Sequence, residues 1–353
     1  MNPTLDLNAL LNIVPQTWFG NERRIHVACY QTLRRPSLRP IPEGTFELIP
    51  VFVFERIVAY FYEGSISSFM PIEDEGLFAS HETGFSFSAA KIELHTSPVR
   101  TWFIVVQPFY RSMSVTLVMK RLQSTAAMCA LIYGRGLLHR LYAATVCRDE
   151  ILGANSKTVT EYTHGPFVLY GSYLEDAPIA AMIPEYESFT TAYQRLSNQT
   201  RKRLDLALQW YERATHHDGI ASFLDIWIAL EVAVAPTGKC LSGIDSLLAQ
   251  QYSITREEAS IKFKTSELYT LRNSIVHGGF IEDVPPFIVD YVGLLFRDVI
   301  RAILDQPLIG YAAHGLARQS AKGLNWATFT YDSPSGSQCD HEVTCVSTVE
   351  RTR

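Results

Sequence analysis

The stretch LYTLRNSIVHGG, residues 268–279, decides how this chain is read. An arginine, an asparagine and a histidine close a short apolar run, and two glycines follow at once. One reading is local. A helix C-terminus carries about half a negative charge, which favours a histidine in the last turn. Gly278 then supplies the left-handed residue that ends the helix, and Arg272 and Asn273 are surface residues. The other reading is chemical. Cutting RNA without a metal requires a proton taken from the 2'-hydroxyl and one given to the leaving 5'-oxygen. An imidazole, which ordinarily titrates near about 6.5, suits that work. The planar fork of Arg272 suits two phosphate oxygens, and Asn273 both donates and accepts. Five steps of about 100° place Arg272 and His277 about 140° apart on a regular helix. Their convergence therefore needs a distorted helix end, or a second copy of the helix across a symmetric dimer.

Outward from this stretch, residues 185–304 read as helical. SNQTRKRLDLALQWYERA (197–214) places Leu204, Leu208, Tyr211 and Ala214 on one side, with Ser197 as N-cap. DGIASFLDIWIALEVAVAP (218–236) aligns Ile220, Phe223, Trp227, Leu230 and Val234 and stops at Pro236. Thr255 and Glu258 form a capping-box pattern. FIVDYVGLLFRDVIRAIL (287–304) carries a continuous seam of Ile288, Val292, Leu295, Val299 and Ile303. Four or five such helices, each with one apolar face, bury those faces best as an antiparallel bundle.

The first half reads differently. TFELIPVFVFERIVAYFYEG (45–64) and TWFIVVQPF (101–109) have the β-branched and aromatic content of strands, with Pro50 as an edge or break. GFSFSAAKIELHT (84–96), SVTLVMKRL (114–122) and VTEYTHGPFVLYGSY (159–173) read as further strands, and residues 124–148 as a helix packed on them. The expected fold class is α+β. A mixed α/β module spans residues 1–180, an all-α helical domain residues 185–312, and a polar tail residues 313–353. A sensing or regulatory role for the first module is an architectural expectation.

The formal net charge of −5 argues against a broad face that tracks nucleic acid, because phosphate neutralisation supplies most of such affinity. RNA would be held locally, near Arg201, Lys202 and Arg203, or only briefly. The six cysteines are scattered without a CxxC pair, which predicts reduced thiols in a cytoplasmic protein. The N-terminal residues lack a secretory signal pattern. The most apolar long stretch, residues 126–146, is interrupted by Arg135, His139 and Arg140, so no membrane span is expected.

RNSIVH, residues 272–277, resembles the arginine–polar–histidine motif of the HEPN superfamily. FLDIWIALEVAVAP (223–236) is similar to the second helix of its Apea-like branch, where an ALE element precedes LRN and VHGG. The resemblance covers about residues 187–305. It implies a helical domain that dimerises and, in many members, cuts RNA without a metal. It assigns Arg272 and His277 as the catalytic pair, Asn273 as the polar residue beside them, and Glu231 as the glutamate of the second helix. Glu231 lies one turn past Trp227, at the margin of the apolar stripe, where a carboxylate wants a cation. Arg272 is the candidate, either as an ion pair that orients the arginine or beside a direct proton role. The setting implied is a latent toxin of bacterial defence, with an unknown trigger. The rival reading is a non-enzymatic dimerisation or ligand-sensing scaffold.

Other constellations carry less. His216–His217 sits between helices, where such residues usually face solvent. CDHEVTC (339–345) fits no zinc spacing, YGRGLLHR (133–140) lacks a nucleotide-binding pattern, and no serine sits in GxSxG. No metal and no cofactor are therefore expected.

Overall fold

A computed structural model of the chain describes residues 4–5, 8–19, 24–31, 49–66, 100–108, 115–138, 140–147, 150–157, 179–217, 219–234, 240–278 and 284–321. The strand-like stretches at 84–96 and 159–173, Pro236 and the CDHEVTC run lie outside these residues. The strands are β1 (Thr4–Leu5), β2 (Arg24–Gln31), β3 (Ile49–Phe54), β4 (Ile57–Ile66), β5 (Arg100–Pro108), β6 (Arg140–Cys147) and β7 (Glu150–Lys157). They form one sheet in the order β1-β4-β5-β2-β6-β7, with β3 also paired to β4. Every pairing is antiparallel except β1 with β4. Pro50 falls on β3, which among the described residues pairs with β4 alone, next to a register shift, the place where a missing N–H does least harm.

Around β2, β4 and β5 both faces of this sheet are covered, which matches the nearly continuous apolar character of those strands. On one face Ile25, Val27, Cys29, Val58, Tyr60, Trp102, Ile104 and Val106 pack with Leu10, Leu11 and Val14 of the short helix α1 (Asn8–Ile13). On the other, Phe103 meets Phe61 and Tyr30 in tilted ring contacts at 5.5 and 6.4 Å between centroids, and α2 (Val115–Tyr133) packs on strands of the sheet.

The helix α2 corrects two expectations. The sequence pattern suggests strand for residues 114–122, but 115–122 are its first turns, and residues 140–147, expected as its end, are strand β6. Val and Thr in SVTLVMKRL suggested a strand, yet Val118, Leu122, Ala126, Cys129 and Ala130 follow helical spacing and are all buried. The helix stops at Gly134, whose φ of 88° is a left-handed conformation that glycine adopts without strain.

The remaining helices are α3 (Ile179–Arg195), α4 (Asn198–Ala214), α5 (Gly219–Val234), α6 (Cys240–Tyr252), α7 (Arg256–Phe263), α8 (Thr265–Asn273), α9 (Pro286–Ile303) and α10 (Tyr311–Ala321). Ser197 caps α4 through the Thr200 N–H, and Thr255 with Glu258 completes both arms of a capping box on α7. The described strands thus all lie before residue 158, with α1 and α2 among them, and among the described residues helices alone follow from residue 179. The expected module boundary at 180–185 falls inside α3, and Met1–Leu316 form one compact unit, with Ala317–Arg353 as a second. The expected start of the tail, residue 313, lies within α10.

Two buried polar joints tie the sheet side of the first unit to its helices. Glu212 of α4 accepts from the Tyr30 hydroxyl at 3.1 Å and from Gln123 at 3.2 Å, and meets His216 Nε2 at 2.7 Å. Arg297 of α9 donates to the carbonyls of Leu131 and Ile132 at 2.6 and 2.8 Å and stacks on Tyr311 at 3.6 Å. It thereby satisfies two of the orphan carbonyls at the end of α2 and places a cation at the negative end of that helix.

Candidate functional site

The site is assembled by α5, α6, α7 and α8. The apolar stripe of α5 is buried, with Phe223, Trp227 and Leu230 inaccessible to solvent. Glu231 follows Trp227 by one turn and stays 28 % exposed at the stripe's edge. The buried indole donates its N–H to Glu231 Oε1 at 2.8 Å, which fixes the carboxylate's direction. Arg272, on the last turn of α8, approaches the same oxygen at 3.5 Å and donates to Asn273 Oδ1 at 3.2 Å. Arg272 is 24 % exposed, so its guanidinium is held on one side and open on the other.

Three of the four residues singled out from sequence, Glu231, Arg272 and Asn273, therefore meet. His277 is placed differently. The α-helix ends at Asn273, and Ser274–Gly278 continue as a π turn. A π turn bonds each carbonyl to the N–H five residues ahead, so positions i and i+5 approach alignment as i and i+4 do in an α-helix. This is a distortion of the kind that the 140° offset called for, and it reduces that offset. His277 is exposed on this turn, as is Val276, 49 % exposed. Two protein donors hold Glu231, whereas the imidazole faces solvent.

Beside Arg272 lies an open pocket of about 530 Å³, lined by Glu231, Ser242, Asp245, Arg256, Tyr269 and Arg272, with Cys240 and Leu241 completing it. Burial, then the Glu231 charge, pushes the Cys240 thiol up to about 12, so it is a neutral thiol there. Burial also raises the Asp245 carboxyl, against a 2.5 Å hydrogen bond from Thr265 that pulls it down. The residues from α6 and α7 were not singled out in the sequence, because no motif links them. A signal did exist in Arg256. It begins α7 where the helix dipole favours acidic side chains, and Glu257 and Glu258 follow it.

The remaining motif residues resolve simply. His216, expected at the surface, is buried against Glu212, and His217 lies 3.7 Å from Asp225. The sequence pattern missed this because the α4–α5 turn is covered by the sheet side of the fold, where Thr215 also donates to the Leu138 carbonyl. Among the described residues no group of three His, Cys, Asp or Glu is arranged to hold a metal ion, and no helix is long and apolar enough to cross a membrane. Cys29, Cys129 and Cys240 are free thiols. Compared with known proteins, the chain matches no family model, no curated protein and no solved structure.

Proposed function

We propose that the chain is a cytoplasmic, metal-independent endoribonuclease whose helical part is a HEPN-type bundle acting as a homodimer, held latent as a defence toxin. The observation that carries this reading is the half-held guanidinium of Arg272. Glu231 and Asn273 orient it from one side while its other side opens on a pocket, five residues before an exposed histidine on a π turn. Arg272 takes the non-bridging oxygens of a phosphodiester, the bidentate task for which its fork is shaped. His277 removes the 2'-hydroxyl proton or protonates the leaving 5'-oxygen. A second imidazole, from the partner copy, performs the complementary transfer. The 2'-oxygen attacks phosphorus as the 5'-oxygen leaves, giving a 2',3'-cyclic phosphate and a 5'-hydroxyl end. Glu231 positions Arg272, anchored in turn by Trp227.

A non-enzymatic scaffold is the second reading. The Arg272–Glu231 pair favours it, since an ion pair at a helix end is a sufficient structural role, and the partly exposed Tyr269 and Val276 offer apolar area to a second copy. Labelled RNA incubated with purified protein in EDTA separates the two. The nuclease reading expects cleavage that His277→Ala and Arg272→Ala both abolish. RNA left intact by wild type, or cut equally by both variants, overturns it.

A further inference from the structure

We propose that the pocket beside Arg272 is a nucleotide subsite, in which Arg256 and Arg272 grip a phosphate and Tyr269 carries the base. The proposal rests on the endoribonuclease reading for the source of that nucleotide, an RNA residue flanking the cut phosphodiester. The pocket's own chemistry stands apart from that reading.

Four observations converge. The volume of about 530 Å³ falls within the roughly 300–1,000 Å³ of small-ligand sites. The lining holds two guanidinium groups and two carboxylates, and the carboxylates already have donors. Glu231 takes Trp227 and Arg272, and Asp245 takes Thr265 at 2.5 Å. The arginines keep donors to spare. Arg256 makes one bond in this region, 3.2 Å to Ser242 Oγ, and is exposed. It also occupies the first position of α7, where the helix dipole opposes a cation and an anion beside it relieves the conflict. Tyr269 completes the set. One side of its ring leans on buried Trp227 at 6.2 Å between centroids, tilted by 42°, and the residue remains 37 % exposed at the pocket wall. A partly exposed aromatic ring braced by a buried neighbour at a pocket wall suits base stacking, which is indifferent to base identity.

The source of the nucleotide is open to test, since free mononucleotide and RNA share this chemistry. Binding to the full-length protein is followed by fluorescence polarisation of a dye-labelled 2'-O-methyl RNA, which lacks the attacking hydroxyl and stays intact. Nucleoside 5'-monophosphates serve as competitors. Arg256→Ala and Tyr269→Ala are each expected to weaken binding about ten-fold or more. Tyr269→Phe, which keeps the ring, should bind as wild type, and so should Arg195→Ala, which removes an exposed cation elsewhere. Displacement by monophosphates at comparable concentration assigns the pocket to free nucleotide. Displacement only by oligomers assigns it to RNA. Wild-type affinity in both Arg256→Ala and Tyr269→Ala, or no binding of either probe to wild type, overturns the subsite. His277-dependent cleavage with unchanged Arg256→Ala binding removes the subsite and leaves the nuclease. Arg256-dependent binding without His277-dependent cleavage does the reverse.

Discussion

Two arginines in this protein are treated in opposite ways. Arg297, on α9, is 2 % exposed, donates to two backbone carbonyls at the end of α2 and lies over the Tyr311 ring. Arg272, on α8, is a quarter exposed, sits 3.5 Å from one carboxylate and otherwise bonds its own neighbour. Burying a guanidinium costs several kcal/mol unless geometry and partners repay it, so the region around Arg297 is committed to holding α2, α9 and α10 together. The region around Arg272 leaves donors unspent. A cation kept at an open pocket with spare donors is placed to meet something from outside.

The contrast can be broken most sharply at the open end. On the proposed reading, His277→Ala or Arg272→Ala lowers RNA cleavage by about 100- to 10,000-fold, read as initial rates on labelled RNA in EDTA. Neither should change urea stability by more than about 1 kcal/mol, because a partly exposed ion pair contributes little. A large loss of stability in Arg272→Ala would make the two arginines alike and end the comparison. At the buried end, Arg297→Met strands two carbonyls and is expected to cost about 3 kcal/mol or more by urea denaturation. A near-neutral result would show that α2 ends without help.

The sheet side adds a pH test. Burial, reinforced by Arg24, lowers His26 to about 4. The unfolded chain takes up this proton below about pH 6.5 and the folded chain only near 4, so stability is full above 6.5 and is lost as pH falls. This one group contributes a slope of up to about 1.4 kcal/mol per pH unit between those values. His26→Gln should flatten the slope measured by denaturation at pH 7, 6 and 5. Smallest of all is the cap of α7. Thr255→Ala is expected to cost about 1 kcal/mol, and the affected helix carries Arg256 into the pocket. The bonds from Thr255 hold the Glu258 carboxyl below its usual range, so its share is present above that range and lost in acid.

Much of the helical half was legible because its signals are local. Ser197, the Thr255–Glu258 box and the seam from Ile288 to Val299 act within a few residues, and the structure places each as its spacing implies. The pairing of Glu231 with Arg272 was also readable, since a carboxylate at the edge of the Trp227 stripe wants a cation. What stayed hidden depends on distant parts. Strand β2 pairs with β5 and β6 across scores of residues, and β6 continues the apolar run of α2 in sequence, so local pattern alone did not separate them. The depth of His216 follows from the sheet's Tyr30 reaching Glu212, a contact between residues far apart in the chain. Ser242 and Arg256 join the pocket only through the packing of α6 and α7.

The π turn at Ser274–Gly278 sets the register of the site. It holds one residue more than an α-helical turn would need. Were it to relax to regular α-helix at unchanged length, everything before Ser274 would stay where it is, while the imidazole swung back toward an offset of about 140° from Arg272. Deleting one residue between Arg272 and His277 would instead let the α8 spiral run on unbroken, with the histidine four positions on and facing nearly as before. The extra residue lets a five-residue spacing present the imidazole as a four-residue one would.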